Sequence, residues 1–239
     1  MTHNIQGIVT LVQGNMLSQY DRLAYTTQNI ANMNTTGYKA VRFEDIIDAD
    51  GSVHGVERID NKAGDYELTK NPLDVALTGA GYFPVTTPAG EIRYTRDGSF
   101  TVNKDGMLVT KLGDLVGSGI YIDGTAEKIE IRNNGDVYTY KKIMDEPEYT
   151  GTIPVVVFEN PEGLSDAGGN EFVATEESGK MKLVENPDYV KQYGLEHSNT
   201  DPMNEIYKVA RINASLLASA SLEKAIREMY DTVIKDITE

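Results

Sequence analysis

The sequence predicts an α+β protein with a long helix at each end of the chain and a mainly antiparallel β domain inserted between them. Three observations carry this. Apolar residues recur at 4-3 spacing near the start of the chain, and the same spacing returns near its end. In between, Gly-containing turn pairs alternate with short β-prone runs. At 239 residues with 40% hydrophobic content, the chain can bury one large core or two small ones.

The first element is a helix over residues 5–31. Ile5, Val9, Val12, Met16, Gln19, Leu23, Thr26 and Ile30 fall at 4-3 spacing, and six of the eight are apolar, a heptad-like seam. Such a helix spans ~40 Å at 1.5 Å per residue. Gly7 and Gly14 weaken it, so it needs a partner to persist in water. The string Asn29-Ile30-Ala31-Asn32-Met33-Asn34-Thr35-Thr36-Gly37-Tyr38-Lys39 closes it. Gly37 suits a helix stop, and the Asn/Thr cluster can satisfy free backbone groups locally.

Residues 38–69 are polar and read as an extended connector. The β domain follows, over residues 70–197. Its hairpin signals are Asp97-Gly98, Asp105-Gly106, Asp123-Gly124 and Asn134-Gly135, with Asp50-Gly51 ahead of it. Its β-prone runs include Ile129–Ile131, Val137–Tyr140 and Ile153–Phe158.

The last element is a helix over about 203–237, opened by Asp201-Pro202. Glu205, Val209, Ile212, Leu216, Ser219, Glu223, Ile226, Tyr230, Val233 and Ile237 repeat the 4-3 spacing, and its centre is rich in Ala and Ser, which let helix axes approach closely. The expected plan is therefore a discontinuous terminal-helix domain from 1–37 and 198–239, a connector at 38–69 and an inserted domain at 70–197. Two long seams at opposite ends of a chain must bury against each other, against neighbouring copies, or both.

Charge and composition exclude several functions. The net charge is −15. Residues 1–42 carry +2 and residues 200–239 carry −2, so the middle holds the rest. Such a surface repels nucleic acid and anionic lipid. Cysteine is absent, which rules out disulfides and thiolate metal sites. Met1 to Val12 lacks the features of a secretory signal, and no run reaches the ~18 apolar residues of a membrane span.

No catalytic, metal or cofactor motif is expected. Gly79-Ala80-Gly81 lacks the third glycine of a dinucleotide loop and leads into an aromatic strand. His3, His54 and His197 are dispersed. Asp48-Ala49-Asp50-Gly51 with Glu57 imitates a calcium loop, but Ile46 takes the first ligand position.

Four stretches carry a resemblance. Asn29, Ala31, Asn32, Thr35, Gly37, Tyr38 and Lys39 fit the N-terminal signature of flagellar basal-body rod and hook proteins, roughly N-[LI]-A-N-x-x-T-x-G-[FY]-K. Pro72–Phe83, Tyr94–Phe100 with Gly106–Thr110, and Gly194–Thr200 are similar to later motifs of that family, in the same order. Two regions depart from it. Ala210–Ala214 keeps only the arginine of the family's Gln-Arg-aromatic-Glu string, and residues 140–190 match no family pattern. Length and ending look most like the proximal rod type, with the distal rod type second.

The resemblance implies a structural subunit of the flagellar rod. Such a chain is exported by the flagellar type III apparatus without a cleaved signal. It polymerises with itself and with other rod and hook proteins into a helical tube that carries motor torque across the periplasm, inside the bushing rings. It implies no cofactor, no nucleic acid and no membrane insertion. The expected polymer interface is the two seams, Ile5, Val9, Val12, Met16, Leu23 and Ile30 on the first helix and Val209, Ile212, Leu216, Ile226, Tyr230 and Val233 on the second. The competing readings are a secreted β-rich glycan- or peptidoglycan-binding module using Tyr138, Tyr140 and Tyr149, and a carboxylate-based hydrolase.

Overall fold

A computed structural model describes residues 5–47, 53–143 and 146–238 of the chain. The chain divides into two units. One comprises Met1–Ala31, Val41–Glu57 and Asp201–Glu239, and the other Asn32–Ala40 with Arg58–Thr200.

The helix unit is built on α1 (Ile5–Ala31) and α2 (Pro202–Thr238), beside the hairpin of β1 (Val41–Ile47) and β2 (Val53–Ile59), which runs on into the second unit. Asp201 caps α2, its carboxylate accepting from the N–H groups of Met203 at 3.0 Å and Asn204 at 3.2 Å. Pro202 occupies the first turn, where its missing N–H costs nothing. The helices run antiparallel, because Gln13 reaches Glu223 (3.4 Å) while Asn29 reaches Glu205 (3.3 Å).

The helical boundaries match the expected ones, and so does the buried stripe. Val9, Val12, Met16, Leu23 and Ile30 are buried or half-buried, as are Val209, Ile212, Leu216 and Ile226. Tyr230, at the far end of α2, is exposed. The side chains of Ile5 and Val233 lie outside the described residues.

In the second unit the strands are β3 (Tyr66–Leu68), β4 (Val75–Leu77), β5 (Phe83–Thr86), β6 (Ile92–Thr95), β7 (Thr101–Val102), β8 (Leu108–Val109), β9 (Leu115–Val116), β10 (Lys128–Ile131), β11 (Asp136–Tyr140), β12 (Glu148–Thr152), β13 (Val156–Val157), β14 (Ser165–Gly168), β15 (Glu171–Val173), β16 (Lys182–Leu183), β17 (Val190–Gln192) and β18 (Gly194–Glu196). Seven form one sheet in the order β14-β15-β6-β5-β9-β8-β7, and β10-β11-β12 form another. The pairs β3-β18, β4-β17 and β13-β16 complete the unit, and every one of these pairings is antiparallel.

The first and last strands pair with each other, so the inserted unit closes on itself at the point where the chain enters and leaves. Its main core gathers Phe83, Phe100, Leu108, Val116, Val137 and Ile153, with the two phenylalanine rings edge to face at 5.2 Å. A second cluster is centred on Tyr82, Tyr94, Phe158 and Phe172.

Three expectations need correction. Residues 38–69 are not simply an extended connector, since β1, most of β2, and β3 lie within them. The alternation Val41-Arg42-Phe43, with Val41 buried, is a strand pattern that the polar composition of the stretch obscures. Asp105-Gly106 and Asn134-Gly135 do turn hairpins, between β7 and β8 and between β10 and β11, with positive φ at both glycines. Asp97-Gly98 and Asp123-Gly124 do not, because the strands flanking each of them are not paired with one another. Gly98 serves a close approach instead, since a Cβ there would overlap the carbonyl of Val75. Finally, the run 153–158 gives only the two-residue β13, because Pro154 has no N–H for a ladder. Asp50-Gly51 and the imitation calcium loop lie mostly outside the described residues.

Candidate functional site

Three of the recognised motifs converge in the second unit on one buried ionic cluster. Lys39, Arg96 and Glu196 are all within a few per cent of full burial. Lys39 Nζ donates to Glu196 Oε1 at 2.6 Å and to the Lys62 carbonyl at 2.6 Å. Arg96 Nε donates to Glu196 Oε2 at 2.8 Å, and its other nitrogens reach the carbonyls of Leu77, Gly79 and Gly81 at 3.1, 2.9 and 2.7 Å. Gly64 N–H donates to Glu196 Oε1 at 2.8 Å.

Every charged atom there has a partner, which is what allows three charges to stay buried. Burial pushes the Lys39 ammonium below its usual value, and the Glu196 carboxylate partly opposes that shift.

Backbone contacts tighten the same place. Gly37 N–H donates to the Glu196 carbonyl at 2.6 Å. Gly37 has φ +67°, and a Cβ would run into the Arg96 backbone, so only glycine fits. Asn199 Oδ1 accepts from Ala40 N–H at 2.7 Å, while its Nδ2 donates to the carbonyls of Asp60 and Lys62 at 2.7 and 3.0 Å. Thr35 bonds back to Asn32 through both backbone and side chain at 3.0 Å, forming the tight turn after α1. Tyr38 is buried beside it, and Ala31 is exposed.

Asn29 performs a separate task in the helix unit. Its Oδ1 accepts from Val41 N–H and its Nδ2 donates to Val41 C=O, both at 2.9 Å, so the amide imitates a strand partner. The same Nδ2 reaches Glu205 at 3.3 Å, and Lys208 closes on Glu205 at 2.5 Å. Glu205 is thus a buried carboxylate at a seam position, tying α1, β1 and α2 together.

The outer faces of the helices are different. Leu11, Leu17 and Tyr20 on α1 are well exposed, as are Met203, Ile206, Tyr207, Leu217 and Met229 on α2. Leu11, Leu17, Leu217 and Met229 each expose about two thirds of their surface. Large apolar side chains left in water on a helix pair are candidates for contact with other molecules. No described helix is long and apolar enough to cross a membrane. Among the described residues no cluster of His, Cys, Asp and Glu is suited to a metal.

The tyrosines weighed for glycan binding are already engaged. Arg132 sits 3.9 Å from the centre of the Tyr138 ring, Lys128 sits 4.7 Å from that of Tyr140, and Tyr149 packs edge-on against Tyr138 at 5.6 Å. His197 lies at the surface 2.7 Å from Glu67.

The chain is similar to known proteins. The model for flagella basal body rod proteins matches residues 14–39, the stretch holding Asn29, Gly37 and Lys39. The model for the flagellar hook protein FlgE/F/G D1 domain matches residues 76–139, which hold Arg96. The flagellar basal-body rod protein FlgG of Caulobacter vibrioides is 34% identical over 84% of this chain and 88% of its own length. The chain belongs to the flagellar basal-body rod protein family. FlgG of Agrobacterium fabrum is 32% identical over 93% of the chain and 96% of its own length. FlgF of Caulobacter vibrioides is 30% identical over 89% and 90%. Relatives named FlgG and FlgF are therefore both present, and both assignments fit this rod protein. As a member of this family it is a structural component of the flagellar basal-body rod and not an enzyme.

Sequence reasoning named Asn29, Gly37 and Lys39 as motif residues but missed their partners. Arg96 and Glu196 stand inside family motifs, yet nothing in their spacing says that they meet, because 100 residues separate them. The one available signal for Glu205 was a carboxylate on a mostly apolar seam, a signal it shares with Glu223.

Proposed function

We propose that this rod protein polymerises through its terminal-helix unit into a helical tube that transmits motor torque to the hook and filament. The observation that carries this is the double use of the terminal helices. Val12 and Ile212 of the seams are buried within one chain, while the outer faces still expose Leu11, Leu17, Leu217 and Met229. In this reading the seam residues set the geometry of the helix pair, and the outer apolar side chains meet neighbouring copies. A contact of that kind is heterologous and need not close into a ring. The partners are other copies of the chain and other rod and hook proteins, with the bushing rings outside the tube. Export through the flagellar type III apparatus, without a cleaved signal, brings the chain to the periplasm-spanning rod. The domain plan is a terminal-helix domain and an inserted β domain.

The test uses the absence of native cysteine. Single cysteines at Leu11, Leu17, Leu217 and Met229 are oxidised in motile cells, with Val12 and Ile212 as buried controls. Multimer ladders in purified basal bodies from the exposed positions, with little from the controls, are the expected outcome. Monomer at every exposed position would defeat the polymer reading.

A further inference from the structure

The helix unit contains a cleft of about 440 Å³ walled by α1, β1 and α2. Part of its lining is apolar. Val41 and Ile212 are buried there, and the rings of Tyr25 and Phe43 stack at 5.5 Å. The rest of the lining is strongly cationic, with Arg22, Arg42, Lys208 and Arg211 against two carboxylates, Glu44 and Glu205. Glu205 is already engaged by Asn29 at 3.3 Å and Lys208 at 2.5 Å. Glu44 lies 3.9 Å from Arg42. Arg211 is exposed and has no carboxylate partner among the described residues, its guanidinium lying 5.8 Å from the Tyr207 ring.

This concentration of positive charge stands out in so acidic a chain. The second unit carries 15 basic and 24 acidic residues, a net charge of −9. An apolar pocket with a cationic lining fits an anionic side chain flanked by an apolar one. Guanidinium groups hold carboxylates in fixed, often bidentate geometry, and they do so more strongly where water is partly excluded.

We propose that this cleft receives an acidic segment from the β-rich unit of a second copy of the chain. The inference rests on the polymer reading above and specifies one of its contacts. Apolar helix faces give adhesion but tolerate sliding. A carboxylate seated among arginines fixes register, because a slipped subunit leaves the charge unpaired.

The experiment places benzoylphenylalanine at Ser215, and separately at Gln19, both half-buried in the cleft lining. Motile cells are irradiated and the adducts in purified basal bodies are mapped by mass spectrometry. The expected adduct joins the cleft to a peptide within residues 58–200 of another copy. R211E should lower its yield about tenfold, and R211K, which keeps the charge but not the fork, should lower it less. Adducts only to terminal helices of other copies, only to a different protein, or equally abundant in R211E overturn the cleft assignment while leaving the polymer reading intact. The cleft assignment also falls if neither position gives an adduct although the chain is present in basal bodies. A chain missing from basal bodies altogether would overturn both.

Discussion

The two units of this rod protein spend their residues in opposite ways. The β-rich unit packs Phe83, Phe100 and Leu108 into a closed core and partners every charge in its ionic cluster, while Leu68, Leu112 and Leu183 stay exposed on its surface. The helix unit buries a narrow seam and leaves leucines and methionines on its outer faces. The first closes two apolar clusters and an ionic cluster within the chain, whereas the second is stable only to the extent that one helix covers the other, and its remaining apolar surface calls for neighbours. The difference separates two kinds of residue. Substitutions in the core and ionic cluster of the β-rich unit should act on folding, and substitutions on the outer helix faces should act on assembly.

The strongest way to test that division is to break the ionic cluster. Glu196→Ala leaves Lys39 and Arg96 buried without their counter-ion, and a loss of about 3–5 kcal/mol is expected, read by urea unfolding of the purified chain. An unchanged urea midpoint would show that the cluster does not hold this unit together. Next in size is Asn29→Ala, which strands the N–H and C=O of Val41 and loosens Glu205. About 1–3 kcal/mol should be lost, and the loss should appear as faster hydrogen exchange in α1 and β1 before the β-rich unit responds.

Glu171 sharpens the comparison from another side. Burial, followed by a hydrogen bond and charge repulsion with Asp114, raises its pKa to about 7, against the opposing pull of Arg93. A carboxyl with a raised folded pKa stabilises the fold most when protonated in both states. That contribution is complete below the ordinary carboxylate value of 4.5 and is lost as pH rises through about 7. Thermal stability of the wild-type chain should therefore gain a downward slope from this group between those limits. Glu171→Gln should flatten the slope and raise the melting temperature above pH 7, and a slope that survives the substitution would assign it to another group.

The smallest effect on folding is expected where the effect on function is largest. Leu217→Asp lies on the outer face of α2, and its urea midpoint should stay within about 0.5 kcal/mol of wild type while motility is lost. A large drop in monomer stability would mean that this face is covered within the chain.

Much of this was legible in the chain. Both helices appear at the positions their 4-3 spacing marks, because that periodicity is a local property that survives folding. Asn134-Gly135 announced its hairpin because a positive φ is a local demand. The hairpin β1-β2 was hidden because polar residues dilute its alternation, and residues 140–190 matched no family pattern although β14 and β15 from that stretch complete the seven-stranded sheet.

By itself, then, the sequence determined the periodic elements, the chain's acidic character, its lack of cysteine and the motif strings, each of which depends on neighbours a few residues apart. Only the tertiary structure decided that Lys39, Arg96 and Glu196 share one buried cluster. It also decided that Asn29 substitutes for a strand, and that four cationic side chains line one cleft. The reason is physical. Electrostatic and hydrogen-bond partners are chosen by distance in space after loops of a hundred residues close, and no spacing along the chain encodes that closure.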